Sequence, residues 1–229
     1  MTKENTNPRS IILMGGGGHT GVVADILIQQ GRNIIAIFCP ESPKYRNELI
    51  NLPHYTNDAS LIDFDNKEFV LINAIGHIPF SKLREGIANS RHTQHFLFDK
   101  VISDQAYVSS NAILGEGVHI MPGAIIQAGA VIGDHSIINS NSVIEHDCVI
   151  GKFNHIAPGA TLCGNVTTED DVFIGSGSTI IQDICIGKNS VIASSVNISK
   201  DIPSGVVVKN KNIVTVEQRI IWVTGLKWW

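Results

Sequence analysis

The residues best suited to chemistry in this 229-residue chain are histidines in its second half. They are His119, His135, His146 and His155. His146 differs from the others because acidic residues flank it, Glu145 before and Asp147 after. A carboxylate beside a histidine holds the imidazole in one tautomer and raises its basicity. The pair His146–Asp147 therefore predicts a general base, a group that takes a proton from an attacking nucleophile. A solvated surface histidine is the alternative.

A second candidate site is the glycine-rich segment 15–21, which reads GGGGHTG. It follows a short apolar run, 11–14, and precedes a stretch of helical pattern at 22–30. Glycines let a backbone approach a ligand closely, and the helix that follows presents free N–H groups to phosphate. The segment predicts a nucleotide or nucleotide-sugar site, with a ligand-free turn as the alternative. It is a weak signal for NAD, because Glu41 is a poor candidate for the acid that grips the ribose.

The region that carries the histidines repeats an aliphatic residue every six positions, seventeen times in succession. This column consists of Ile102, Val108, Leu114, Ile120, Ile126, Ile132, Ile138, Ile144, Ile150, Ile156, Leu162, Thr168, Ile174, Ile180, Ile186, Ile192 and Ile198. Only Thr168 is not Ile, Leu or Val, and a second column four residues later is mostly small or β-branched. A period of six fits neither a helix nor an ordinary strand, and it predicts a parallel β-helix built from hexads.

The β-helix places the histidines in known positions. Three hexads form one triangular coil, so residues eighteen apart lie above one another, and seventeen hexads give between five and six coils. His146 falls near a corner and faces outward, and its stacked neighbours are the small residues Ala128 and Gly164. Their size leaves room for a ligand beside the ring. His155 belongs to another edge of the coil, and a trimer of parallel β-helices would let both rings line one cleft.

The first hundred residues alternate between strand and helix patterns. Predicted strands are 11–14, 34–38 and 69–74, and predicted helices are 22–30 and 81–89. This alternation predicts a small parallel sheet of the Rossmann-like α/β type. We expect a nucleotide-sugar-binding domain at 1–95, a β-helix domain at 96–208 and a C-terminal tail at 209–229.

The composition excludes several classes of partner. A net charge of −4 and a pI near 6.1 give no reason to expect nucleic acid. No apolar run reaches the roughly 18 residues that cross a bilayer, and residues 1–9 lack the apolar stretch of a signal peptide. With 17% charged residues and a mean hydropathy of +0.14, the chain is expected to bury surface in an oligomer. Four cysteines without a CxxC motif indicate reduced thiols in the cytoplasm.

The segment 139–151, NSNSVIEHDCVIG, continues through Phe153, His155, Gly159 and 164–166 in a pattern that resembles a known family. It is similar to the bacterial nucleotide-sugar acetyltransferases that join a small Rossmann-like domain to a left-handed β-helix. These include UDP-4-amino-sugar N-acetyltransferases and sialic acid O-acetyltransferases. The resemblance covers about residues 10–208, with support from the glycine-rich turn and from Ile75-Gly76. It implies a left-handed coil and acetyl-CoA as co-substrate.

The resemblance also implies roles for individual residues. By position, His146 is the general base and Asp147 the acid that raises its basicity. The expected acetyl-CoA contacts are His155, Ser176 and Ser194. The expected contacts to the sugar nucleotide are Gly18, His19, Thr20, Gly76 and Asn139. The zinc-binding hydratases of this coil use a His-x4-His pair, and residue 160 is Ala here, so no metal site is predicted.

Two segments depart from the family pattern. Cys39-Pro40 stands where the family often has two acids that help hold the nucleotide base, so the base stays open between UDP and dTDP. The segment 205–209 replaces a Gly-Val-Pro-Ala ending, and the tryptophan-containing tail at 220–229 is interpreted as a cap or a subunit contact.

Taken together, these features predict a cytoplasmic homotrimer, without membrane insertion, that acetylates the amine of a nucleotide-linked 4-amino-deoxy sugar. The product would serve bacterial surface glycan synthesis. Two alternatives stay open: a sialic acid O-acetyltransferase on the same scaffold, and a non-catalytic nucleotide-binding protein whose coil only oligomerises.

Overall fold

The computed structural model describes residues 9–41, 47–57, 60–61, 64–65, 67–92 and 95–210. They form an N-terminal α/β unit followed by a parallel β-helix. The elements of the α/β unit are β1 (Ser10–Met14), α1 (Gly18–Gln29), β2 (Ile34–Phe38), α2 (Asn47–Ile50), β3 (His54–Tyr55), β4 (Phe69–Asn73) and α3 (Leu83–His92). The first eight residues and the tryptophan-containing tail, for which expectations were stated above, are not among the described residues.

The four strands of the α/β unit form one parallel sheet in the order β3-β2-β1-β4. The chain continues from β1 to β2 and β3 on one side of β1, and then crosses to β4 on the other side. The carboxyl ends of β1 and β4 therefore flank a topological switch point, the place where open α/β sheets bind ligands. The predicted start of α1 at residue 22 is wrong, because the helix already begins at Gly18. Glycine is tolerated in a first helical turn, so the glycine-rich run is partly helix. The predicted helix at 81–89 spans Leu83–His92 instead.

The β-helix has three faces, each a sheet of two-residue strands. The first face contains β5 (Val101–Ile102), β8 (His119–Ile120), β11 (Ile137–Ile138), β14 (His155–Ile156), β17 (Phe173–Ile174), β20 (Val191–Ile192) and β22 (Val207–Val208). The second contains β6 (Tyr107–Val108), β9 (Ile125–Ile126), β12 (Val143–Ile144), β15 (Thr161–Leu162), β18 (Thr179–Ile180) and β21 (Asn197–Ile198). The third contains β7 (Ile113–Leu114), β10 (Val131–Ile132), β13 (Val149–Ile150), β16 (Thr167–Thr168) and β19 (Cys185–Ile186).

The register of these sheets confirms the eighteen-residue coil. Val131 pairs with Val149, and Ile138 pairs with Ile156, in parallel strands. The last coil is shorter than eighteen residues. Ile192 pairs with Val208 and Ile186 bridges to Ile202, and in both pairs the partners are sixteen residues apart. The prediction of a parallel β-helix is therefore confirmed, and its left-handed sense remains what the resemblance implies.

The aliphatic column fills the axis of the β-helix, and its polar exception is satisfied internally. From Ile120 to Ile198 every member of the column is at most 4% exposed. Thr168 accepts a hydrogen bond from Nδ2 of Asn154 at 2.6 Å, while Oδ1 of Asn154 accepts one from the backbone N–H of Val172 at 2.7 Å. Buried polar groups require such partners, so Asn154 and Thr168 form one unit inside the core. Cys148 is also buried in the core, as predicted.

The α/β unit packs against the first face of the β-helix. Val101 and Met121 belong to the same buried cluster as the inner side of α1. Gln30 donates to the carbonyl oxygen of Ile102 at 2.7 Å, which fixes the end of α1 to the first coil. Phe98, in the connection, is packed in the core of the α/β unit and bridges to β4. The division into 1–95, 96–208 and 209–229 stays a proposal.

Candidate active site

His146 and Asp147 form a hydrogen-bonded pair on an outer corner of the β-helix. They occupy the turn between β12 and β13, and Nδ1 of His146 lies 2.9 Å from Oδ2 of Asp147. Both side chains are about two-thirds exposed, at 65% and 67%. The hydrogen bond that His146 donates to Asp147 raises the pKa of His146, and the charges of Glu145 and Asp183 act in the same direction. The outward direction predicted for His146 is confirmed, and Nε2 is left to meet a substrate.

Two glycines in adjacent coils make room for this pair. A β-carbon on Gly164 would lie 2.6 Å from both Cε1 and Nε2 of His146, so the imidazole rests on the glycine backbone. A β-carbon on Gly129 would lie 2.3 Å from Oδ1 of Asp147. Contacts under 3.0 Å essentially never occur at real β-carbons, so any larger residue would push the pair aside. The sequence predicted the role of Gly164, but the role of Gly129, eighteen residues before Asp147, was missed.

The backbone of the pair is fixed by both neighbouring coils. The N–H of Asp147 donates to the carbonyl oxygen of Ala128 at 3.1 Å, and the carbonyl oxygen of His146 accepts from the N–H of Asn165 at 2.9 Å. Asp147 has a left-handed backbone, with φ of 61°, a conformation that Asp tolerates better than most residues. The turn therefore holds the pair in one place, although the side chains face solvent.

The glycine-rich segment lies at the switch point of the sheet, against the loop that follows β4. Gly15 has φ of +124°, and a β-carbon there would lie 2.9 Å from Cγ1 of Ile75. Thr20 is fully buried and its hydroxyl donates to the carbonyl oxygen of Ala74 at 3.0 Å, so it joins the two loops. Gly18 opens α1 and is exposed. We call the surface where these two loops, residues 15–20 and 74–77, meet the β-helix the switch-point crevice.

The first face of the β-helix provides the other side of the crevice. Nδ2 of Asn139 lies 3.0 Å from Nε2 of His155, and Nδ1 of His155 lies 3.3 Å from the carbonyl oxygen of His77. Nε2 of His19 lies 2.9 Å from Nδ1 of His119. Gly76 is next to His19, where a β-carbon would lie 3.4 Å from Cβ of His19. The structure thus brings together the residues expected to hold the sugar nucleotide.

Arg84 joins the two sides of the crevice. Its guanidinium is buried and donates to the carbonyl oxygens of Asn73 and Ile75 in the α/β unit, and to those of His135 and Gly117 in the β-helix. All four acceptors are neutral carbonyls. Burial lowers the pKa of Arg84 to about 9, so the group keeps its charge at neutral pH. Sequence reasoning missed Arg84, because nothing in its local pattern sets it apart from other helical arginines.

The histidines of the crevice are neutral. Burial, followed by the charge of Arg84, lowers the pKa of His19 to about 3 and of His77 to about 4. Burial, with the neighbouring His77, lowers the pKa of His155 to about 3. His119 has a pKa well below the ordinary value for the same reasons, burial first and Arg84 second. These rings therefore act as hydrogen-bonding groups, whereas His146 alone among the site histidines has a raised pKa.

The predicted acetyl-CoA residues are divided between two places. Ser176 and Ser194 are exposed and lie on successive coils at the corner between the first and second faces, joined through the N–H of Ser195 and the carbonyl oxygen of Ser176 at 2.9 Å. His155 lies instead among His77 and Phe173, with ring centroids 5.8 and 5.0 Å away. The serine corner and the His146 corner are the two ends of the second face. The single chain does not bring Ser176 or Ser194 to His146.

Cys39 follows β2 directly, at the carboxyl end of that strand. Its Sγ lies 3.3 Å from Nε2 of His54 and donates to the carbonyl oxygen of Glu41 at 2.9 Å. A β-carbon on Gly16 would lie 2.7 Å from this sulfur. Burial raises the pKa of Cys39 to about 11, so it is a thiol that shapes the glycine-rich loop.

Within the described part of the chain, no group of three or more His, Cys, Asp or Glu residues is placed to hold a metal ion. No helix among the described residues is long and apolar enough to cross a membrane. All four cysteines, Cys39, Cys148, Cys163 and Cys185, are free thiols.

Two family models match the chain. The model described as PglD N-terminal domain matches residues 10–90, and the model described as bacterial transferase hexapeptide (six repeats) matches residues 111–146 and 129–164. The comparison with curated proteins found no significant match. The matched ranges coincide with the α/β unit and with the coils that carry His146 and Asp147.

Solved structures of similar proteins cover most of the chain. PerB from Caulobacter crescentus, in complex with CoA and GDP-perosamine, is 29% identical with a TM-score of 0.77, over 86% of this chain and 92% of that one. The acetyltransferase domain of PglB from Neisseria gonorrhoeae is 28% identical with a TM-score of 0.81, over 90% and 98%. It has also been solved with acetyl coenzyme A.

WeeI from Acinetobacter baumannii shares the fold, with 23% identity and a TM-score of 0.76 over 90% and 98% of the two chains. The perosamine N-acetyltransferase was also crystallised as histidine-to-asparagine and histidine-to-alanine variants with CoA and GDP-perosamine. These similarities extend across both the α/β unit and the β-helix. The chain is therefore a member of the nucleotide-sugar acetyltransferase family in which a PglD-type N-terminal domain precedes a parallel β-helix of hexapeptide repeats.

Proposed function

We propose that this protein is an acetyl-CoA-dependent N-acetyltransferase that acts on the amine of a nucleotide-linked 4-amino-deoxy sugar. The observation that carries the proposal is the His146–Asp147 pair, held at 2.9 Å on an exposed corner between Gly129 and Gly164. A base whose pKa is raised by a carboxylate suits the removal of a proton from an attacking amine. PerB, whose fold this chain shares, was solved with CoA and an amino-sugar nucleotide.

In the proposed reaction, the neutral amine of the sugar attacks the thioester carbonyl carbon of acetyl-CoA. A C–N bond forms, the carbonyl becomes a tetrahedral oxyanion, and Nε2 of His146 accepts the proton that the nitrogen loses. The intermediate collapses with cleavage of the C–S bond, and the CoA sulfur leaves with a proton, which the protonated His146 is placed to return. Asp147 stabilises the imidazolium between these steps. Backbone N–H groups on the coil edge are the candidates for stabilising the oxyanion.

The switch-point crevice is the proposed site of the sugar nucleotide. Gly18, His19 and Thr20 would lie along the diphosphate, where α1 offers backbone N–H groups. Gly76 and Asn139 would flank the sugar. Binding both substrates in a fixed geometry lowers the barrier by removing the entropy of bringing them together, so most of the acceleration beyond proton transfer is assigned to this alignment.

We further propose that the working molecule is a homotrimer in which each active site uses two subunits. In one chain, Asn139 precedes β12 and His146 follows it, so the crevice and the base lie at opposite ends of that strand. A neighbouring β-helix would close the gap and leave a cleft for acetyl-CoA along Ser176 and Ser194. Exposed apolar side chains on the second and third faces, at Tyr107, Ile113 and Val149, support such a contact. We place the trimer in the cytoplasm, in keeping with its free thiols.

The proposal is tested by measuring thiol release from acetyl-CoA with a panel of acceptors. The panel contains UDP-, dTDP- and GDP-linked 4-amino sugars, free sialic acid and no acceptor. Turnover with one or more amino-sugar nucleotides, and none with sialic acid, is expected. Turnover with sialic acid alone would replace N-acetylation by O-acetylation. Nucleotide-sugar binding without any affinity for CoA would instead indicate a non-catalytic binding protein.

A further inference from the structure

We infer that His119 is a positioning residue that keeps the proton of His19 on Nδ1, so that His19 presents an N–H donor to the sugar nucleotide. The inference rests on the proposed function, because that function makes the sugar nucleotide the ligand of the crevice. It concerns a residue outside the predicted set of substrate contacts and outside the catalytic pair.

The two rings form a hydrogen-bonded pair across the boundary between the α/β unit and the β-helix. Nε2 of His19, in the first turn of α1, lies 2.9 Å from Nδ1 of His119, in β8. The rings are close to parallel, with centroids 5.2 Å apart and an angle of 20° between their planes. His119 is fully buried, whereas His19 is partly exposed beside Gly76. Only His19 can therefore reach a ligand.

One hydrogen bond between two neutral imidazoles allows two arrangements of protons. Burial and the charge of Arg84 keep both rings neutral, as their lowered pKa values indicate. In the first arrangement, His19 donates from Nε2, and its Nδ1 is left as an acceptor. In the second, His119 donates from Nδ1, and His19 carries its own proton on Nδ1. The two arrangements offer the ligand opposite groups.

The other nitrogen of His119 decides between the two arrangements. Nε2 of His119 is buried and has no hydrogen-bond partner among the described residues. In the first arrangement this nitrogen would carry a hydrogen without an acceptor, and buried N–H groups of that kind are rare in proteins. In the second arrangement it carries only a lone pair, and under-satisfied buried acceptors are less rare. His119 therefore donates to His19, which leaves the Nδ1–H of His19 for the crevice.

A donor at this position matches the chemistry of the expected ligand. Phosphate oxygens and sugar hydroxyls accept hydrogen bonds, and the backbone N–H groups at the start of α1 are donors as well. Nδ1 of His19 has no partner among the described residues, so it adds a donor to the same side of the crevice. A His19 that offered a lone pair would repel an anionic diphosphate.

The test reads the tautomer directly and uses two variants of His119. The ring nitrogens of ¹⁵N-histidine-labelled protein are recorded by NMR, with the His19 signals assigned by their loss in His19→Gln. In the wild-type protein, Nδ1 of His19 is expected to be protonated and Nε2 unprotonated. His119→Leu removes the donor and should leave a mixture of tautomers. His119→Asn places an amide N–H near the position of Nδ1 and should restore the wild-type pattern.

The kinetic measurement separates positioning from a structural role. His119→Leu should raise KM for the amino-sugar nucleotide by about five- to tenfold, the value of one hydrogen bond, with KM for acetyl-CoA unchanged. His119→Asn should recover most of that loss. A His19 protonated on Nε2 in the wild-type protein would overturn the inference, as would equal rises in both KM values. If no acceptor is turned over, the proposed function fails, and the tautomer of His19 still decides this inference.

Discussion

The imidazole of His146 lies against Gly164, the residue eighteen positions later and one coil further along the β-helix, where a β-carbon would lie 2.6 Å from Cε1 and Nε2 of the ring. The stacking of coils therefore helps to set the direction of the ring, together with its hydrogen bond to Asp147. Gly164 contributes no side chain to the proposed mechanism, but it lies against the ring that carries the reacting Nε2. Its substitution by a larger residue is therefore expected to change the orientation of the base.

Gly164→Ala is predicted to lower kcat by about tenfold to a hundredfold, because the new methyl group pushes the ring out of line with the amine. The backbone of Gly164 does not have the positive φ that would strain an alanine, and the displaced ring of His146 is exposed. The midpoint of denaturation should therefore be nearly unchanged. Gly86→Ala is the matched control, since a β-carbon there meets nothing within 4 Å. Wild-type kcat in Gly164→Ala would mean that the ring orientation is unimportant.

Asp147→Asn is predicted to move the acid limb of the pH–rate profile to lower pH. His146 must be unprotonated to accept the proton, so activity is present above its pKa and is lost as the pH falls through it. The hydrogen bond that His146 donates to Asp147 is the largest cause that raises this pKa, and its loss lowers the pKa. The plateau rate should fall too, because the base is weaker and less well oriented.

The control for charge alone is Asp183→Asn, which removes a nearby carboxylate that does not contact the ring. Asp183→Asn should shift the acid limb of the pH–rate profile less than Asp147→Asn does. Equal shifts in the two variants would show that the hydrogen bond has no special part in the basicity of His146.

Mixing two inactive variants is predicted to restore activity, if each site is shared between subunits. His146→Ala lacks the base, and Gly76→Leu fills the crevice beside His19. Random hybrid trimers formed from equal amounts of each should recover about a quarter of wild-type activity. Each site needs an intact crevice from one subunit and an intact base from its neighbour, and half of the chains carry each of these. The activity is measured after co-refolding, with separately refolded variants as the control. No recovery in verified hybrids would place the base and the crevice in one chain.

Thr168→Val is predicted to destabilise the protein by about 1–3 kcal/mol, although it restores an aliphatic residue to the axial column. The change leaves Nδ2 of Asn154 buried without its acceptor. Thr167→Val, on the outer side of the same strand, should change the free energy of unfolding by less than about 0.5 kcal/mol. Denaturant unfolding of both variants measures the difference. Equal stabilities would mean that the buried amide finds another partner.

Much of the β-helix could be predicted, because its period of six is visible in the chain itself. The period located the corner turns and showed that His146 faces outward with Gly164 above it. The chemical type and spacing of the residues were enough to place them in the β-helix, since each coil contacts only its neighbours. The same rule would have found Gly129, which lies eighteen residues before Asp147.

The crevice could be predicted only in part, because its contacts join residues far apart in the chain. His19 meets His119 across one hundred positions, and Arg84 reaches His135 across fifty-one. No local pattern encodes these contacts, which depend on how the α/β unit docks. The two-residue strand β3 was missed for a related reason, since its pairing with β2 defines it more than its own sequence does.

The decisive measurement is the kcat of His146→Ala, followed as thiol release with acetyl-CoA and the best amino-sugar nucleotide. If His146 is the general base, kcat should fall by about 10² to 10⁴, the usual contribution of such a group, with the oligomer and the affinity for CoA retained. A variant that keeps its oligomeric state and turns over at the wild-type rate would contradict the assignment of His146 as the base.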